Sequence, residues 1–225
     1  MDDILKSLLD PILDEEGKVI VPEYASNVKI DVGLSHCAPN ARLWIDKLKD
    51  RHVFCFEPQT NLDPLRGVDP NRYTLLRCGL DDAEKGSVKD MYICGQDCGR
   101  SSMYKPNTFD PVQVTSFMFI PFVEFLKRFP WDRFSYIEHL KTDTQGNDLK
   151  ILQNAGDYLK KVVYLEVEAT CYENEYEYYP EKKETQDYLE SMGFELIEET
   201  NAIDQTYVNT AYKDIATQLD FSRVA

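Results

Sequence analysis

The chain has 225 residues, 43% of them hydrophobic, and its 40 acidic and 25 basic side chains give a formal net charge of −15. This length suffices for one domain with a buried core. The negative charge excludes nucleic acids and anionic membrane surfaces as expected partners, because phosphate groups would be repelled. No apolar run approaches the ~20 residues of a membrane span, and the N-terminus is acidic where a signal peptide would be basic. We therefore expect one cytoplasmic domain over 1–225, with a short helical extension at about 1–25.

The first part of the chain predicts a helix followed by a strand–helix–strand unit. Residues 2–13 carry apolar side chains at helical spacing, and a strand is expected at roughly 27–32. Pro39 then suits the first turn of a helix, where its missing N–H does no harm. A second strand, rich in β-branched and aromatic residues, is predicted over 52–58. The unit takes about 30 residues, as a parallel crossover requires.

The rest of the chain continues this alternation. Its last two predicted strands, one beginning at Phe194 and one over 206–213, have no helix between them, which indicates an antiparallel edge. Strands that alternate with helices predict an α/β sheet with helices on both faces. The remaining predicted strands are 73–78, 88–93, 112–115, 134–143 and 161–169, and the remaining predicted helices are 121–129, 146–156 and 184–194.

The turn after the first strand, in the segment IDVGLSHCAP (30–39), indicates the chemistry of the ligand. In open α/β sheets, ligands bind at the carboxyl ends of the strands. A pyrophosphate there needs a cluster of glycines, but this turn offers Gly33 alone, and Asp31 would repel phosphates. S-adenosylmethionine has no phosphate, so Asp31 would attract its ammonium group while backbone N–H groups take its carboxylate. Glu57, which ends the second strand, would accept hydrogen bonds from the ribose hydroxyls. The alternative is that both acids only cap helices or turns.

Three segments together resemble the FkbM family of S-adenosylmethionine-dependent methyltransferases: IDVGLSHCAPNARLWI, VFCFEPQ and HLKTDTQGNDLKILQNAG. The resemblance extends over roughly 28–210. It implies the class I methyltransferase fold, a Rossmann-like three-layer sandwich around a mostly parallel seven-stranded sheet with an antiparallel edge strand. For the family it also implies S-adenosylmethionine as cofactor and mostly O-methylation of sugars or related small hydroxylated acceptors. One departure is Gln145, where family members usually carry Glu, because a neutral amide cannot act by ionisation.

The predicted cofactor site lies at the ends of neighbouring strands. The turn after the third predicted strand is where this fold usually meets the adenine, so we expect Leu80 to pack on the ring and Asp81 to accept from its amino group. The segment 99–107 resembles the family's serine-containing loop, and a flexible polar turn is the alternative. The predicted set is Asp31, Gly33, Leu34, Ser35, Glu57, Pro58, Gly79, Leu80, Asp81, Ser102 and Asp143, with Ser101 as a further candidate.

Methyl transfer to a hydroxyl requires that the acceptor be aligned with the methyl group and that its proton be removed. Asp143 ends a predicted strand and matches the family's Asp, so we interpret it as the base or as the group that orients the acceptor. Capping the following helix is the alternative role. Lys141 would neutralise Asp143, because alternate residues of a strand share a face. His36, in the ligand-side turn, is a second candidate base, and His139 is expected to be a hydrogen-bonded core residue.

The expected partner is a small-molecule acceptor, and an oligomer is left open. The segment TCYENEYEYYPEKK (170–183) carries aromatic side chains that can stack on a sugar and form a lid. A solvated acidic loop or an oligomer contact is the alternative. No metal is predicted, because the cysteines form no zinc pattern and Cys94 and Cys98 have no second pair nearby. The predicted acceptor residues are Tyr104, Glu166, Glu168 and Tyr172.

Two other functions are compatible with the sequence. The chain could be a catalytically inactive methyltransferase-fold binding module, with Gln145 marking the lost activity. It could also be an NAD(P)-dependent sugar-modifying oxidoreductase, because Tyr179 and Lys183 have the spacing of a dehydrogenase pair. Pro180 lies between them and would disrupt the helix that such a pair needs.

Overall fold

The computed structural model describes residues 2–95 and 99–219. Its strands and helices are numbered in chain order. The strands are β1 (Asn27–Val32), β2 (Arg51–Phe56), β3 (Tyr73–Leu76), β4 (Gly79–Asp81), β5 (Ser87–Ile93), β6 (Gln113–Pro121), β7 (Ile137–Thr142), β8 (Val162–Glu168), β9 (Phe194–Thr200) and β10 (Asp204–Asn209). The α-helices are α1 (Asp3–Leu9), α2 (Pro39–Lys47), α3 (Phe122–Leu126), α4 (Asp148–Ala155), α5 (Lys182–Ser191) and α6 (Lys213–Ala216).

Seven strands form the main sheet, in the order β3-β2-β1-β7-β8-β10-β9. The first five pair in parallel, and β10 runs antiparallel to both β8 and β9. The predicted fold class is therefore confirmed: a Rossmann-like α/β fold with a mostly parallel seven-stranded sheet and antiparallel pairing at one edge. The strand order reverses beside β1, and the carboxyl ends of β1 and β7 border the crevice where this fold binds ligands.

A second sheet, which the sequence did not predict, lies outside the main one in the order β4-β6-β5. Strand β6 is longer than the predicted 112–115, because its outer half is solvent-exposed and carries no buried apolar pattern. It reaches Pro121, so the helix predicted from 121 begins at Phe122. Strand β4 has only three residues and pairs parallel with the end of β6. This small sheet adds an outer wall beside the crevice.

The C-terminal prediction also needs a correction. The strand predicted over 206–213 ends at Asn209, and the chain then turns into a 3-10 helix over Thr210–Tyr212. The side chain of Asn209 accepts a hydrogen bond from the backbone N–H of Ala211 at 3.0 Å, which caps that helix and ends the strand.

The N-terminal helix packs on the main core through Leu5 and Leu9. It is fixed at its first turn by Asp2, which accepts hydrogen bonds from the backbone N–H groups of Leu5 and Gly86, both at 2.9 Å. Over residues 2–95 and 99–219, none of the helices combines the length and the apolar character that crossing a membrane would need.

Candidate active site

A cavity opens at the carboxyl ends of the parallel strands, with about 690 Å³ of space that includes the open solvent at its mouth. Its floor comes from the turns after β1, β2 and β7, and the second sheet contributes a wall. Seven of the predicted site residues line it: Gly33, Ser35, Glu57, Pro58, Gly79, Leu80 and Asp143, and so does Ser101.

Gly33 joins the turns that follow β1 and β7. Its φ is +81°, and a Cβ atom built there would lie 1.9 Å from the backbone oxygen of Asp143. The backbone N–H of Asp143 donates to the oxygen of Val32 at 3.0 Å, which ties the same two turns together. Only glycine fits this close approach of two backbones. The glycine that the sequence singled out therefore holds two strand ends together at the cavity floor.

Glu57 presents a carboxylate to the cavity directly after β2 and is only 3% exposed. One oxygen accepts from the backbone N–H of Gln59 at 3.0 Å and the other from the backbone N–H of Ser35 at 3.1 Å. Burial raises the pKa of Glu57, and these backbone hydrogen bonds oppose the shift. Each oxygen keeps a further lone pair. A carboxylate fixed in this way suits a pair of neighbouring hydroxyls.

Asp31 lies outside the cavity wall, beneath α2. Its Oδ2 atom accepts a hydrogen bond from the backbone N–H of Ala41, in the first turn of α2, at 3.0 Å. Its Oδ1 atom lies 3.8 Å from Nζ of Lys141. Burial raises the pKa of Asp31 to about 6, although Lys141 and the Ala41 amide oppose the shift. In this structure Asp31 caps a helix, which is the alternative role that the sequence left open.

Lys141 and Asp143 form an ion pair at the end of β7, with Nζ 3.2 Å from Oδ2. Lys141 is buried behind the cavity, and Nζ also lies 3.4 Å from the backbone oxygen of Gly33. Burial lowers the pKa of Lys141, but the charges of Asp143 and Asp31 outweigh it, so the pKa is raised above its usual value. Lys141 is therefore a fixed positive charge, and it forms an ion pair with Asp143.

Gln145 connects the ends of β7 and β8. Its Nε2 atom donates to Oδ1 of Asp143 at 3.0 Å and to Oε1 of Glu168 at 2.8 Å. Its backbone N–H donates to Oε2 of Glu168 at 3.0 Å. Its Oε1 atom accepts from the hydroxyl of Tyr176 at 3.0 Å. The residue that departs from the family pattern is thus fully hydrogen-bonded and lines the cavity.

Two segments, 99–109 and 171–180, form a cap over these strand ends. They are joined by backbone hydrogen bonds from Asn107 to Glu175 and from Glu177 to Lys105, both 2.8 Å long. The hydroxyl of Ser102 donates to the backbone oxygen of Gln145 at 2.7 Å, which anchors the cap to the floor of the cavity. The cap residues that line the cavity are Gly99, Ser101 and Met103.

The predicted acceptor residues do not line the cavity. The hydroxyl of Tyr104 donates to Asn147 at 3.1 Å and accepts from Lys150 at 2.9 Å. Glu166 accepts from Asn40 at 3.1 Å, and Tyr172 is exposed. Glu168 is bound by Gln145 at the end of β8.

Five other predicted residues also lie outside the cavity wall. Asp81 is buried in an ion pair with Lys89 at 2.7 Å, Leu34 packs under α2, and Ser102 is fully buried in the cap. His36 is exposed, with Nδ1 3.3 Å from the hydroxyl of Ser35, and Lys141 is buried behind Asp143.

His139 is fully buried, as expected, but it is not hydrogen-bonded as predicted. Its Nε2 atom lies 3.6 Å from Oε2 of Glu166, which is too far for a hydrogen bond. The ring packs against Trp44 with centroids 4.8 Å apart. Burial lowers the pKa of His139, which favours the neutral ring.

The dehydrogenase-like pair lies outside the cavity lining. The hydroxyl of Tyr179 accepts from the backbone N–H of Asn174 at 3.1 Å, and Lys183 pairs with Asp187 at 2.7 Å on the surface of α5. Cys98 of the predicted cysteine spacing lies outside the described residues. In the parts of the chain that the structure describes, no group of three or more His, Cys, Asp or Glu side chains is arranged to hold a metal ion.

Several cavity residues were missed by the sequence reasoning. Met91 lies on β5, which was predicted as a strand at 88–93 but given no role in the site, and Phe119 lies on the part of β6 beyond the predicted 112–115. Asn147 donates to the backbone oxygen of Leu80 at 3.0 Å and joins β4 to the start of α4. Its place in the TDTQGND turn was the available signal. The lining residues absent from the predicted site are Val32, Phe56, Gln59, Met91, Gly99, Met103, Phe119, Thr144, Asn147 and Gln145, the last of which the sequence marked only as a departure from the family pattern.

The strand order of the main sheet, with a cavity at the carboxyl ends bordered by a buried acid after β2, defines the Rossmann-like methyltransferase class. The sequence profile of the methyltransferase FkbM domain matches residues 31–196. The chain therefore belongs to the FkbM methyltransferase family, which confirms the resemblance found in the sequence and implies a methyl donor. Separate comparisons with curated proteins and with solved structures found no match to the chain.

Proposed function

We propose that this protein is an O-methyltransferase that transfers a methyl group from S-adenosylmethionine to a hydroxyl of a small acceptor such as a sugar. The observation that carries this proposal is Glu57: a buried carboxylate in the cavity, held by two backbone N–H groups, with lone pairs left for two adjacent hydroxyls. A ribose diol has that arrangement. A pyrophosphate would be repelled by the same group.

The residues around Glu57 fit the remainder of an adenosyl group. Leu80, Met91 and Phe119 give the cavity an apolar wall suited to an adenine ring. The amino-acid end of the cofactor would extend toward Gly33 and Asp143 at the junction of β1 and β7. Asp31 does not line the cavity, so its carboxylate is not available to the ammonium group.

The bound cofactor supplies an electrophilic methyl group, and the residues of this chain position its acceptor. Asp143 would accept a hydrogen bond from the acceptor hydroxyl and take its proton as the carbon–oxygen bond forms and the carbon–sulfur bond of the donor breaks. Lys141 and Gln145 each hold one oxygen of Asp143, so its carboxylate has one orientation toward the cavity. This positioning accounts for much of the expected rate enhancement.

Calorimetry with S-adenosylhomocysteine tests the cofactor assignment. We expect wild type to bind and Glu57→Gln to bind about tenfold or more weakly, because a charged hydrogen bond contributes about 1.5–3 kcal/mol. Glu198→Gln, on exposed β9, is the matched control and should bind like wild type. Equal affinity of Glu57→Gln and wild type would refute the role of Glu57.

A panel of hydroxylated acceptors with a labelled methyl donor tests the reaction itself. Transfer of label to an oxygen, abolished in Asp143→Asn, supports the proposal. Tight binding of S-adenosylhomocysteine with no transfer to any acceptor would favour the inactive binding module. The cytoplasmic location stays a prediction of the sequence.

A further inference from the structure

The backbone of Gln145 has a conformation that residues other than glycine rarely adopt. Its φ is +57°, in the left-handed region, and Gly146 follows with a φ of +105°. A Cβ atom at Gly146 would lie 3.2 Å from the backbone oxygen of Tyr178, so the cap packs closely on this turn. The turn therefore aims the side chain of Gln145 at a fixed point between the ends of β7 and β8.

The carboxamide of Gln145 is oriented by its partners. Both N–H groups point to carboxylates, Asp143 at 3.0 Å and Glu168 at 2.8 Å, and the oxygen accepts from the hydroxyl of Tyr176. If the amide oxygen and nitrogen were exchanged, the oxygen would face the two carboxylates, and none of these groups could donate a hydrogen bond. The contacts thus require a donor at this position, and a carboxylate is not one.

Glu168 depends on the hydrogen bonds that Gln145 donates. It is buried, and in the described part of the chain no lysine or arginine forms an ion pair with it. Its two oxygens accept from Nε2 and from the backbone N–H of Gln145. Burial raises the pKa of Glu168, and the charges of Asp143 and Asp148 add to the shift. A buried carboxylate without these bonds would be strongly unfavourable.

The same residue sets the position of the cap relative to Asp143. Ser102 and Tyr176, one from each cap segment, both donate to oxygens of Gln145. Asp143 receives the amide on Oδ1 and Lys141 on Oδ2. A single uncharged residue therefore connects the cavity carboxylate, the neighbouring strand and both parts of the cap, with its side chain bound to Tyr176 and its backbone oxygen bound to Ser102.

We infer that Gln145 is a positioning residue, whose neutral carboxamide bridges Asp143 and Glu168, orients Asp143 in the cavity and makes a bound cation unnecessary between these two acids. Its importance for methyl transfer rests on the function proposed above. Its structural consequence does not, because the bridge can be tested without cofactor or acceptor.

The test is Gln145→Glu, which replaces the bridging donor with a third carboxylate. We expect the melting temperature at pH 8 to fall by about 10 °C, as for a buried charge that has lost its partner. The loss should shrink as the pH falls from 8 to 5, because protonation of one carboxylate restores a hydrogen bond. At pH 8, Ca²⁺ or Mg²⁺ should raise the melting temperature of the variant and leave wild type unchanged, since oxygen ligands suit these ions.

Two further variants separate charge from packing. Gln186→Glu on α5 is the matched control, because its amide donates at 2.7 Å to one exposed carboxylate, Glu190, and we expect little change. Gln145→Leu should lower the melting temperature with no response to added cations. The double variant Gln145→Glu with Glu168→Gln restores one donor and should regain most of the stability; it also keeps the test decisive if Gln145→Glu alone does not fold.

The inference is overturned if Gln145→Glu melts like wild type at pH 8. It is also overturned if the variant is destabilised but neither low pH nor cations restore it, or if the double variant is no more stable than the single one. S-adenosylhomocysteine binding is measured in parallel on wild type. Failure of wild type to bind would refute the proposed function and leave the melting results, and therefore the bridge, unaffected.

Discussion

The ends of β2 and β7 each present a carboxylate to the same cavity, but the two are held in different ways. Glu57 is fixed by backbone N–H groups of Ser35 and Gln59. Asp143 is fixed by the side chains of Lys141 and Gln145. A backbone donor stays in place when side chains change, whereas a side-chain donor is lost by one substitution. We conclude that the position of Glu57 at the end of β2 withstands substitution of neighbouring side chains. The position of Asp143 at the end of β7 depends on the balance of neighbouring charges.

The largest expected effect comes from removing the positive charge at the Asp143 end. Lys141→Met leaves Asp31 and Asp143 without their common cation, and we expect the free energy of unfolding to fall by about 3–5 kcal/mol. Urea denaturation at pH 7 measures the loss. Lys213→Met, which breaks an exposed pair with Glu195, is the control and should change little. A variant of Lys141 as stable as this control would contradict the comparison.

Gly33→Ala tests the contact between the ends of β1 and β7. The added Cβ must displace the backbone oxygen of Asp143, so we expect a loss of about 2–5 kcal/mol from strain and overpacking. Gly67→Ala is a close control, because Gly67 has the same φ of +81° but a Cβ atom built there would meet no atom within 4 Å. That variant should lose only about 1–2 kcal/mol. Equal losses in thermal or urea unfolding would show that the close approach is unimportant.

The pH dependence of stability sharpens the comparison. Burial raises the pKa of Asp31, Asp148 and Asp204 to about 6 in the folded chain, from 3.8. Each group therefore takes up a proton near pH 6 when folded and only near pH 4 when unfolded, so its contribution to stability rises as the pH falls from 7 to 5. Asp204→Asn removes one of the three and should flatten this rise by up to about 1.4 kcal/mol per pH unit.

Urea denaturation of wild type and Asp204→Asn at pH 5, 6 and 7 measures that difference. Asp46→Asn, an exposed aspartate of α2, is the control and should keep the wild-type slope. An unchanged slope in Asp204→Asn would mean that Asp204 keeps an ordinary pKa and that the Asp143 end is less crowded with charge than the structure indicates.

The smallest effect is expected at the Glu57 end. His36 lies near Ser35 but is exposed and does not line the cavity. His36→Ala should therefore change the dissociation constant of S-adenosylhomocysteine by no more than about twofold. A tenfold loss measured by calorimetry would restore His36 to the site and show that side chains also matter at this end.

Sequence patterns identified the site residues that directly follow a predicted strand. A strand followed by Gly33, or by Glu57, is a pattern within a few residues, and both residues line the cavity. Asp31 could not be placed in this way, because whether its carboxylate faces the cavity or α2 depends on the packing of Ala41 and Lys141. Its helix-capping role appears only in three dimensions.

The contacts of Gln145 lie beyond what sequence patterns can predict. They join Asp143, Glu168 and Tyr176, which come from three elements separated along the chain. The second sheet was not predicted as a sheet, although β5 was predicted at 88–93 and part of β6 at 112–115, because β4 is very short and the outer half of β6 is exposed. Periodicity detects elements that bury one face, so an exposed β-ribbon gives little signal.

The measurement that tests the proposed cofactor site most directly is a crystal structure of the protein with S-adenosylhomocysteine. We predict that both ribose hydroxyls lie within hydrogen-bond distance of Glu57, and that the amino-acid end lies near Gly33 and Asp143. A ligand bound outside this cavity, or one whose ribose makes no contact with Glu57, would contradict it.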